Sequence, residues 1–371
     1  MAGAALRAVG KHGNLAPMRR LLAIAGLLLV LTGCGGADDR APFTDSRIPP
    51  SLGPRFWPPE GWAWGLIGVG EAPVQRYGVS STAGTPRGNI LILTDDRELA
   101  EAWFETARDL NAMGYSVWVL ERAGQSGSAR YAGPRELIHA PTFDDDVAAT
   151  RALARSIVSA DSETPLTVVG QGVGALIALR AVQTGAPAAA LVLSGPKLKP
   201  EGALPAWPAW LMKLGAGRLP TSVGQGWKRE GPDDFKAGRT QDRLRGAVQR
   251  AWQTANPDLR MGGHSLGWTS AFAAAGTSLQ EDAAAVRQPT LLLVARSDAG
   301  TTDDFALCQA LQTCRAAAYA NPPRLSKTAQ RAGRAFHIET SAVRAWWLNE
   351  VTCMAPTHPR IPRTTTEACP T

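Results

Sequence analysis

One segment in the middle of the chain constrains the fold more than any other. Residues 166–169 are apolar or β-branched and predict a buried strand, and residues 173–184 predict an apolar helix. Between these two elements Gly170, Gly172 and Gly174 stand at every second position. Glycine adopts the backbone angles of a sharp turn without steric cost, so this spacing predicts a strand that turns directly into a helix.

The same glycine frame matches a known catalytic turn at every position except its centre. In the G-x-S-x-G pattern, the serine at the tip of the turn is a nucleophile exposed above the sheet. Here the five residues read G-Q-G-V-G, so Gly172 stands where the serine belongs. Acyl transfer of this kind requires an activated hydroxyl, which glycine lacks. The segment therefore predicts an intact turn with a degenerate nucleophile position.

The rest of the chain repeats the alternation of strand and helix, with one long interruption. The pattern predicts strands at 77–80, 89–93, 116–120, 190–194, 290–295 and 315–320, and helices at 98–111, 143–158, 302–313 and 341–351. Short connections between strands and helices predict an α/β fold with a mostly parallel central sheet covered on both faces. The alternation stops from about 197 to 285, and we interpret this stretch as an inserted, mainly helical cap.

The N-terminus carries the pattern of a secretory signal. Arg19 and Arg20 precede an apolar run over residues 21–31, which is shorter than the ~20 residues that span a bilayer. Residues 31–34 read L-T-G-C and resemble the lipobox of bacterial lipoproteins, which implies cleavage before Cys34 and lipid on its sulfur. An uncleaved hydrophobic anchor is the alternative. A complete signal also starts at Met18, so Met1 and Met18 both remain candidates for the true start.

This resemblance implies a protein of the bacterial cell envelope that faces the periplasm. Attached acyl chains hold a protein at a membrane without a spanning helix. Glycine rather than aspartate follows the cysteine, and by resemblance to sorting in enteric bacteria this favours the outer membrane over the inner one.

Charge and composition exclude several classes of partner. The chain carries 39 Lys and Arg against 32 Asp and Glu, but residues 1–33 hold four of the basic residues and none of the acidic ones. The remainder has a net charge of +3, so we expect no nucleic-acid partner. No glycine run is followed by the Lys-Ser/Thr of a phosphate loop, and no cysteine–histidine spacing suits zinc, so we expect no cofactor and no metal.

Four cysteines remain after Cys34, and an even number outside the cytoplasm predicts disulfides. Cys308, Cys314, Cys353 and Cys369 can form two disulfides in three different ways. The set that closes the shortest loops, Cys308–Cys314 with Cys353–Cys369, is the favoured one. The resulting domain organisation is a signal peptide (1–33), a tether (34–60), a first core part (61–196), a cap insertion (197–286), a second core part (287–352) and a C-terminal tail (353–371).

Several segments together resemble one family. Residues 114–120 and the loop R-A-G-Q-S-G-S at 122–128, the latter standing where the family has R-G-x-G-x-S, match its early strand and loop. Residues 143–145 open its next helix, and residues 191–196 match the strand that leads into its cap. The chain is similar to α/β-hydrolases of the lysophospholipase and monoacylglycerol lipase type, also called serine aminopeptidase-like, from about Tyr77 to Val351.

The resemblance assigns two further catalytic positions. The family's acid follows the strand after the cap, which places it at Asp298, and its base precedes the last helix, which places it at His337. The order of nucleophile, acid and base along the chain is the one this fold uses. The resemblance thus implies a retained acid and base around the degenerate Gly172.

The supporting positions also depart from the family. The oxyanion-hole positions are Thr94, Asp95 and the backbone N–H of Val173, and the family usually has a glycine where this chain has T-D-D. A carboxylate beside a developing oxyanion opposes it by like-charge repulsion. Glu121 and Ala123 replace an aspartate and an arginine of the family pattern.

A second glycine frame, G-H-S-L-G at 263–267, matches the nucleophile pattern letter for letter at Ser265. No buried strand precedes it and it lies within the predicted cap, so a chance match is the alternative interpretation. Two hypotheses follow. The first is a pseudo-hydrolase that binds a lipid, an ester or an envelope protein. The second is an active serine hydrolase on lysophospholipids, monoacylglycerols or small esters, which uses Ser265 or another serine with Asp298 and His337.

Overall fold

The computed structural model describes residues 40–161, 163–198, 212, 214–222, 226–231, 233, 236, 242–281, 283–296 and 301–320. Within them, the strands are β1 (Ala63–Ile67), β2 (Gln75–Ser80), β3 (Gly88–Leu93), β4 (Tyr115–Leu120), β5 (Leu166–Gln171), β6 (Ala190–Ser194), β7 (Thr290–Arg296) and β8 (Cys314–Ala320). The helices are α1 (Phe104–Ala112), α2 (Asp144–Ala152), α3 (Val173–Gln183), α4 (Arg243–Ala255), α5 (Leu266–Glu281) and α6 (Thr301–Ala310).

Short helical turns complete the described elements. Ala100–Trp103 is a 3₁₀ turn that runs directly into α1, and Leu153–Val158 is a π-helical turn that extends α2. The remaining 3₁₀ turns are Pro54–Phe56, Ala216–Arg218, Pro257–Leu259 and Ala283–Ala285.

The described strands form one sheet in the order β1-β2-β4-β3-β5-β6-β7-β8. Strand β2 pairs antiparallel with both β1 and β4, and every other pairing is parallel. The sequence prediction of a mostly parallel α/β sheet is therefore confirmed. Strand β1 was not predicted, because its sequence A-W-G-L-I shows neither alternation nor a continuous run of β-branched residues.

Both faces of the sheet are buried, and alternate residues of each central strand serve opposite faces. On β3, Ile90 and Ile92 pack with Leu110 of α1, whereas Leu91 and Leu93 pack in the cluster that contains α2 and α3. This two-sided burial explains why β3, β5 and β6 read as continuous apolar runs rather than as alternating patterns.

Residues 40–59, which the sequence predicts to belong to a tether, pack against the domain. Phe56 is buried, and the backbone N–H of Phe43 donates to the Gly127 carbonyl at 2.7 Å. Asn256 exchanges two hydrogen bonds with the backbone of Arg47, at 2.7 and 3.0 Å. A stretch rich in proline has no periodic pattern, so its sequence does not reveal that its few apolar side chains find a core.

The described part of the segment that the sequence predicts to be a cap lies between β6 and β7 along the chain. Helices α4 and α5 carry Trp252 and Trp268, and both side chains are buried. Trp268 packs edge-on against Phe143 at the start of α2, with ring centroids 5.5 Å apart. Trp252, which packs on Phe104, and Trp268 thus fasten the cap to the helices that cover the sheet, an ordinary structural role for large aromatic side chains.

Candidate active site

The carboxyl ends of β3, β5 and β6 lie side by side and bring three loops together. In the sheet register, Leu93 of β3 lies opposite Gly170 of β5, and Gln171 lies opposite Ser194 of β6. Asp95, Gly172 and Lys197 follow these three strand ends. In open α/β sheets, ligands bind at this edge of the sheet.

Gly172 forms the sharp turn that its sequence context predicts. Its φ is +54° and its ψ is −114°, a conformation that side-chain-bearing residues rarely adopt. The turn is fixed on both sides, since its N–H donates to the Ser194 carbonyl at 3.0 Å and its carbonyl accepts from the N–H of Lys197 at 2.9 Å. The chain therefore retains the strained turn without the serine.

The carboxylate of Asp95 fills the space that a side chain at residue 172 would need. A Cβ built on Gly172 would overlap with Cγ and Oδ1 of Asp95, well inside van der Waals contact. Oδ1 accepts hydrogen bonds from the backbone N–H groups of Val173 and Asp96, both at 2.8 Å. The N–H of Val173 is the donor that the resemblance assigns to the oxyanion hole, and here it is bound to an internal carboxylate.

Lys197 connects two adjacent carboxylates above this turn. Its Nζ donates to Oδ2 of Asp95 at 2.7 Å and to Oδ1 of Asp96 at 2.9 Å. The Asp95 side chain is fully buried, whereas 22% of the Lys197 side chain is exposed. The ammonium group therefore closes the carboxylate pair off from solvent.

His264 attaches the cap to the same group of charges. Its Nε2 lies 3.1 Å from Oδ2 of Asp96, and its ring stacks on that of Trp268 with centroids 3.7 Å apart. We call Asp95, Asp96, Lys197 and His264 the elbow cluster. Because it joins the loop after β3, the entry to the cap and the cap itself, the cluster fixes the cap over the turn.

Burial and neighbouring charges shift the pKa values of Asp95 and Asp96 in opposite directions. Burial raises the pKa of Asp95 to about 7, and the nearby Lys197 ammonium opposes this shift. Burial also disfavours the charged form of Asp96, but Lys197 and His264 outweigh it and hold the pKa of Asp96 well below its usual range. The proton that this pair binds most tightly therefore resides on Asp95.

The backbone around the cluster is held in an unusual conformation. Arg97, directly after the two aspartates, has a φ of +58°, and its N–H donates to Oε1 of Gln125 at 2.8 Å. The N–H of Asp95 donates to Oε2 of Glu98 at 2.8 Å. Strained backbone persists only where surrounding contacts impose it, and it concentrates at functional sites.

Ser265 lies beside this cluster but points into the protein. Its side chain is fully buried, and its Oγ accepts the backbone N–H of Trp268 at 3.1 Å, which is the geometry of a helix N-cap at the start of α5. Oγ also lies 2.8 Å from Nδ1 of His139. Burial lowers the pKa of His139 to about 4, so the imidazole that shares this hydrogen bond with the serine hydroxyl is neutral at pH 7. The contact with the N–H of Trp268 is that of a structural cap at the start of α5.

The substitution Ser265→Ala is expected to cost about 1–2 kcal/mol of folding free energy, because α5 loses its cap and His139 loses a buried partner. Urea denaturation measures this loss. The control is Ser278→Ala on the same helix, where the hydroxyl donates to the Ala274 carbonyl, and we expect a change within ~0.5 kcal/mol there. Equal effects of the two substitutions would contradict the capping role.

Several residues assigned from the sequence lie outside the described residues, namely Cys34, Asp298, His337, Cys353 and Cys369.

The other assigned positions lie within the described residues. Thr94 is buried at the end of β3, and no hydrogen-bond partner is found for its hydroxyl among the described residues. Cys308 and Cys314 lie at disulfide distance, with Cα atoms 5.3 Å apart. Glu121, which departs from the family pattern, forms a buried ion pair with Arg76 at 2.7 Å.

Sequence reasoning missed three members of the elbow cluster, Asp96, Lys197 and His264. Lys197 is the third residue after β6 and was visible as a charged residue at a strand end. Its partner could be named only once the order of the strands placed β6 next to the glycine turn.

Neither a metal-binding group nor a membrane-spanning helix is found within the described part of the chain. There, no group of three or more His, Cys, Asp or Glu side chains is placed to hold a metal ion. None of the helices formed by the described residues is both long and apolar enough to cross a membrane.

The sheet order, the strained turn after β5 and the helical insertion after β6 define an α/β-hydrolase fold. A family profile described as serine aminopeptidase, S33, matches residues 84–320, which is more than half of the chain. The chain belongs to this family. No curated protein matches the sequence.

Solved structures support the fold at low sequence identity. A lipase in an open form is 15% identical, covers 80% of this chain and 100% of its own, and superposes with a TM-score of 0.58. A thermostable carboxyl esterase from Bacillus coagulans is 13% identical over 79% of this chain and 99% of its own, with a TM-score of 0.56. A soluble variant of monoglyceride lipase from Saccharomyces cerevisiae is 14% identical over 79% and 94%, with a TM-score of 0.51.

Proposed function

We propose that this chain is a binding member of its hydrolase family, a pseudo-hydrolase that holds a ligand under its cap without cleaving it. The observation that carries the proposal is the position of the Asp95 carboxylate. It occupies the space of the missing nucleophile beside Gly172 and engages the N–H of Val173. A hydrolase of this fold needs the first place for its serine side chain and the N–H for the carbonyl oxygen of its substrate.

The ligand class follows from the relatives and from the predicted location. The structural neighbours include proteins named as lipases, an esterase and a monoglyceride lipase. We therefore propose a lipid, an ester or a lipid-modified envelope protein as the ligand. The lipobox-like residues before Cys34 support attachment to the envelope membrane on its periplasmic side.

The test is reaction of the folded full chain with a fluorophosphonate probe, followed by mass spectrometry of the peptides, beside an active serine hydrolase as positive control. We expect no labelled serine in this chain. In parallel, a fluorescent ether analogue of a monoacylglycerol, which contains no cleavable ester, is titrated with the protein and is expected to bind saturably. A labelled serine, or turnover of the matching ester, would overturn the proposal.

The anchor has its own expected result. The substitution Cys34→Ser removes the sulfur that would carry the lipid, so the chain should move from the membrane fraction to the soluble fraction. Cell fractionation with immunodetection measures this change. Cys308→Ser, which alters a cysteine far from the N-terminus, serves as the control and should leave the chain in the membrane fraction. An unchanged membrane fraction for Cys34→Ser would favour the uncleaved hydrophobic anchor.

A further inference from the structure

We propose that the elbow cluster is a site of self-modification, in which Lys197 and Asp95 condense to an amide that covalently joins the entry of the cap to the loop after β3. The reacting groups already touch, since Nζ of Lys197 lies 2.7 Å from Oδ2 of Asp95. The bond would span residues that are 102 positions apart in the sequence. It would hold the entry of the cap permanently against the loop after β3.

The remnant of the catalytic turn supplies an oxyanion hole for this reaction. When an amine attacks Cγ of Asp95, negative charge develops on Oδ1. That oxygen already accepts the N–H groups of Val173 and Asp96, both at 2.8 Å. Preorganised backbone donors aimed at a developing oxyanion are typically the largest single contribution to acyl transfer. The turn that binds an ester carbonyl in a working hydrolase would here bind the chain's own carboxyl group.

Asp96 is placed to move the protons. Its Oδ1 lies 2.9 Å from Nζ of Lys197, so it can accept a proton from nitrogen and return it to the departing oxygen. His264 lies 3.1 Å from the other oxygen of Asp96 and holds this carboxylate in place. The remaining charged groups of the loop are Arg97, which pairs with Asp96 at 3.3 Å, and Glu98, which accepts the N–H of Asp95.

The reaction balances without an added reagent. The ammonium of Lys197 first gives one proton to Oδ2 of Asp95, which leaves a neutral amine and a carboxylic acid. The nitrogen lone pair then forms the bond to Cγ, and the carbonyl electron pair moves to Oδ1. Asp96 takes a second proton from nitrogen and passes it to Oδ2, the Cγ–Oδ2 bond breaks, and one water molecule leaves. An ammonium and a carboxylate thus become one secondary amide and one water.

The surroundings favour this condensation over the ion pair. The Asp95 side chain is fully buried, and 5% of the Asp96 side chain is exposed. A buried ion pair carries a large desolvation penalty, whereas a neutral amide does not. Fixed contact between the two groups also removes the entropic cost of bringing them together, which is worth several powers of ten in effective concentration.

The test is peptide mass spectrometry of the purified full chain after trypsin digestion. In the linked chain, residues 88–97, which contain Asp95, should be joined to residues 181–213, with cleavage lost at Lys197 and the mass of one water missing. We expect this branched peptide in the wild-type chain. We expect none in Lys197→Arg, whose guanidinium is not a nucleophile, and strongly reduced formation in Asp96→Asn, which keeps the shape but loses the proton carrier.

Two controls separate this bond from other losses of water. Lys228 and Asp258 lie in the cap away from the elbow cluster, so Lys228→Arg and Asp258→Asn should both leave the branched peptide intact. Loss of water that persists in Lys197→Arg would indicate a cyclic imide at Asp95 and would overturn the proposal. Recovery of only the two separate, unmodified peptides from folded wild-type protein would overturn it as well. None of these readouts depends on ligand binding or on fluorophosphonate labelling.

Discussion

Gly172→Ser is expected to lower the free energy of unfolding by about 4–8 kcal/mol and to create no esterase activity. The new side chain cannot fit while the Asp95 carboxylate stays in place, because its Cβ would overlap with Cγ and Oδ1 of Asp95. In the unlinked chain, displacing that carboxylate breaks its contacts with Val173 and Lys197. Charge-assisted hydrogen bonds of this kind contribute about 1.5–3 kcal/mol each, and the strained backbone at residue 172 adds about 1–2 kcal/mol for any side chain. Chemical denaturation measures the loss.

A matched glycine separates the overlap from the backbone strain. Gly70 also has a positive φ, at +57°, but a Cβ there meets nothing within 4 Å. Gly70→Ser should therefore cost about 1 kcal/mol, the strain alone. If the two serine substitutions destabilise the chain equally, the Asp95 carboxylate does not fill the nucleophile position.

The double variant Gly172→Ser/Asp95→Gly tests whether removing the Asp95 carboxylate makes room for a serine at residue 172. The second substitution removes the obstructing carboxylate and frees the N–H of Val173, so it should recover about half of the lost stability. In this variant alone, we expect weak labelling by a fluorophosphonate probe, since a hydroxyl and an empty oxyanion hole are both present. Loss of activity in this chain would then require two coupled changes rather than a single lost serine.

The fold could be predicted well from the sequence, because buried parallel strands and glycine turns have strong local signals. Strand β6 has the bounds that the sequence pattern predicts, Ala190 and Ser194. Strand β1 was missed since A-W-G-L-I has no strand period, and only its pairing with β2 makes it a strand. The packed segment 40–59 was missed for a similar reason, because proline-rich chain buries its apolar groups only where a tertiary surface receives them.

The candidate site could be predicted only in part. The glycine frame identified residue 172, and the T-D-D sequence marked Asp95 as a departure from the family. The sequence could not reveal that the Asp95 carboxylate lies where a side chain at residue 172 would be. The two residues meet only because the ends of β3 and β5 are neighbours in the sheet. The partners of Lys197 and His264 could not be predicted for the same reason. Their role depends on distances across loops, and no local pattern encodes those distances.

Lys197→Met is expected to lower the free energy of unfolding by about 3–5 kcal/mol at pH 8, because it leaves the buried carboxylate of Asp95 without its cation and beside Asp96, which then keeps the half-exposed Arg97 as its charged partner. The loss should shrink at pH 5. Burial already raises the pKa of Asp95 to about 7, and removing the ammonium that opposes this shift raises it further. A carboxyl group whose folded pKa lies above its unfolded value of 3.8 stabilises the fold at low pH and loses that contribution as the pH rises through the folded value.

Urea denaturation of Lys197→Met at pH 5 and pH 8 measures this difference, with Lys228→Met as the control for loss of an exposed lysine. The control should change stability by less than ~0.5 kcal/mol at either pH. Adding Asp95→Gly to Lys197→Met removes the carboxylate that has lost its cation, so the dependence on pH should weaken in the double variant. A Lys197→Met chain as stable at pH 8 as at pH 5 would mean that Asp95 and Asp96 do not share a buried site. In that case the cap would be held by the stacking of His264 on Trp268 and by apolar packing, and not by the charges of the elbow cluster.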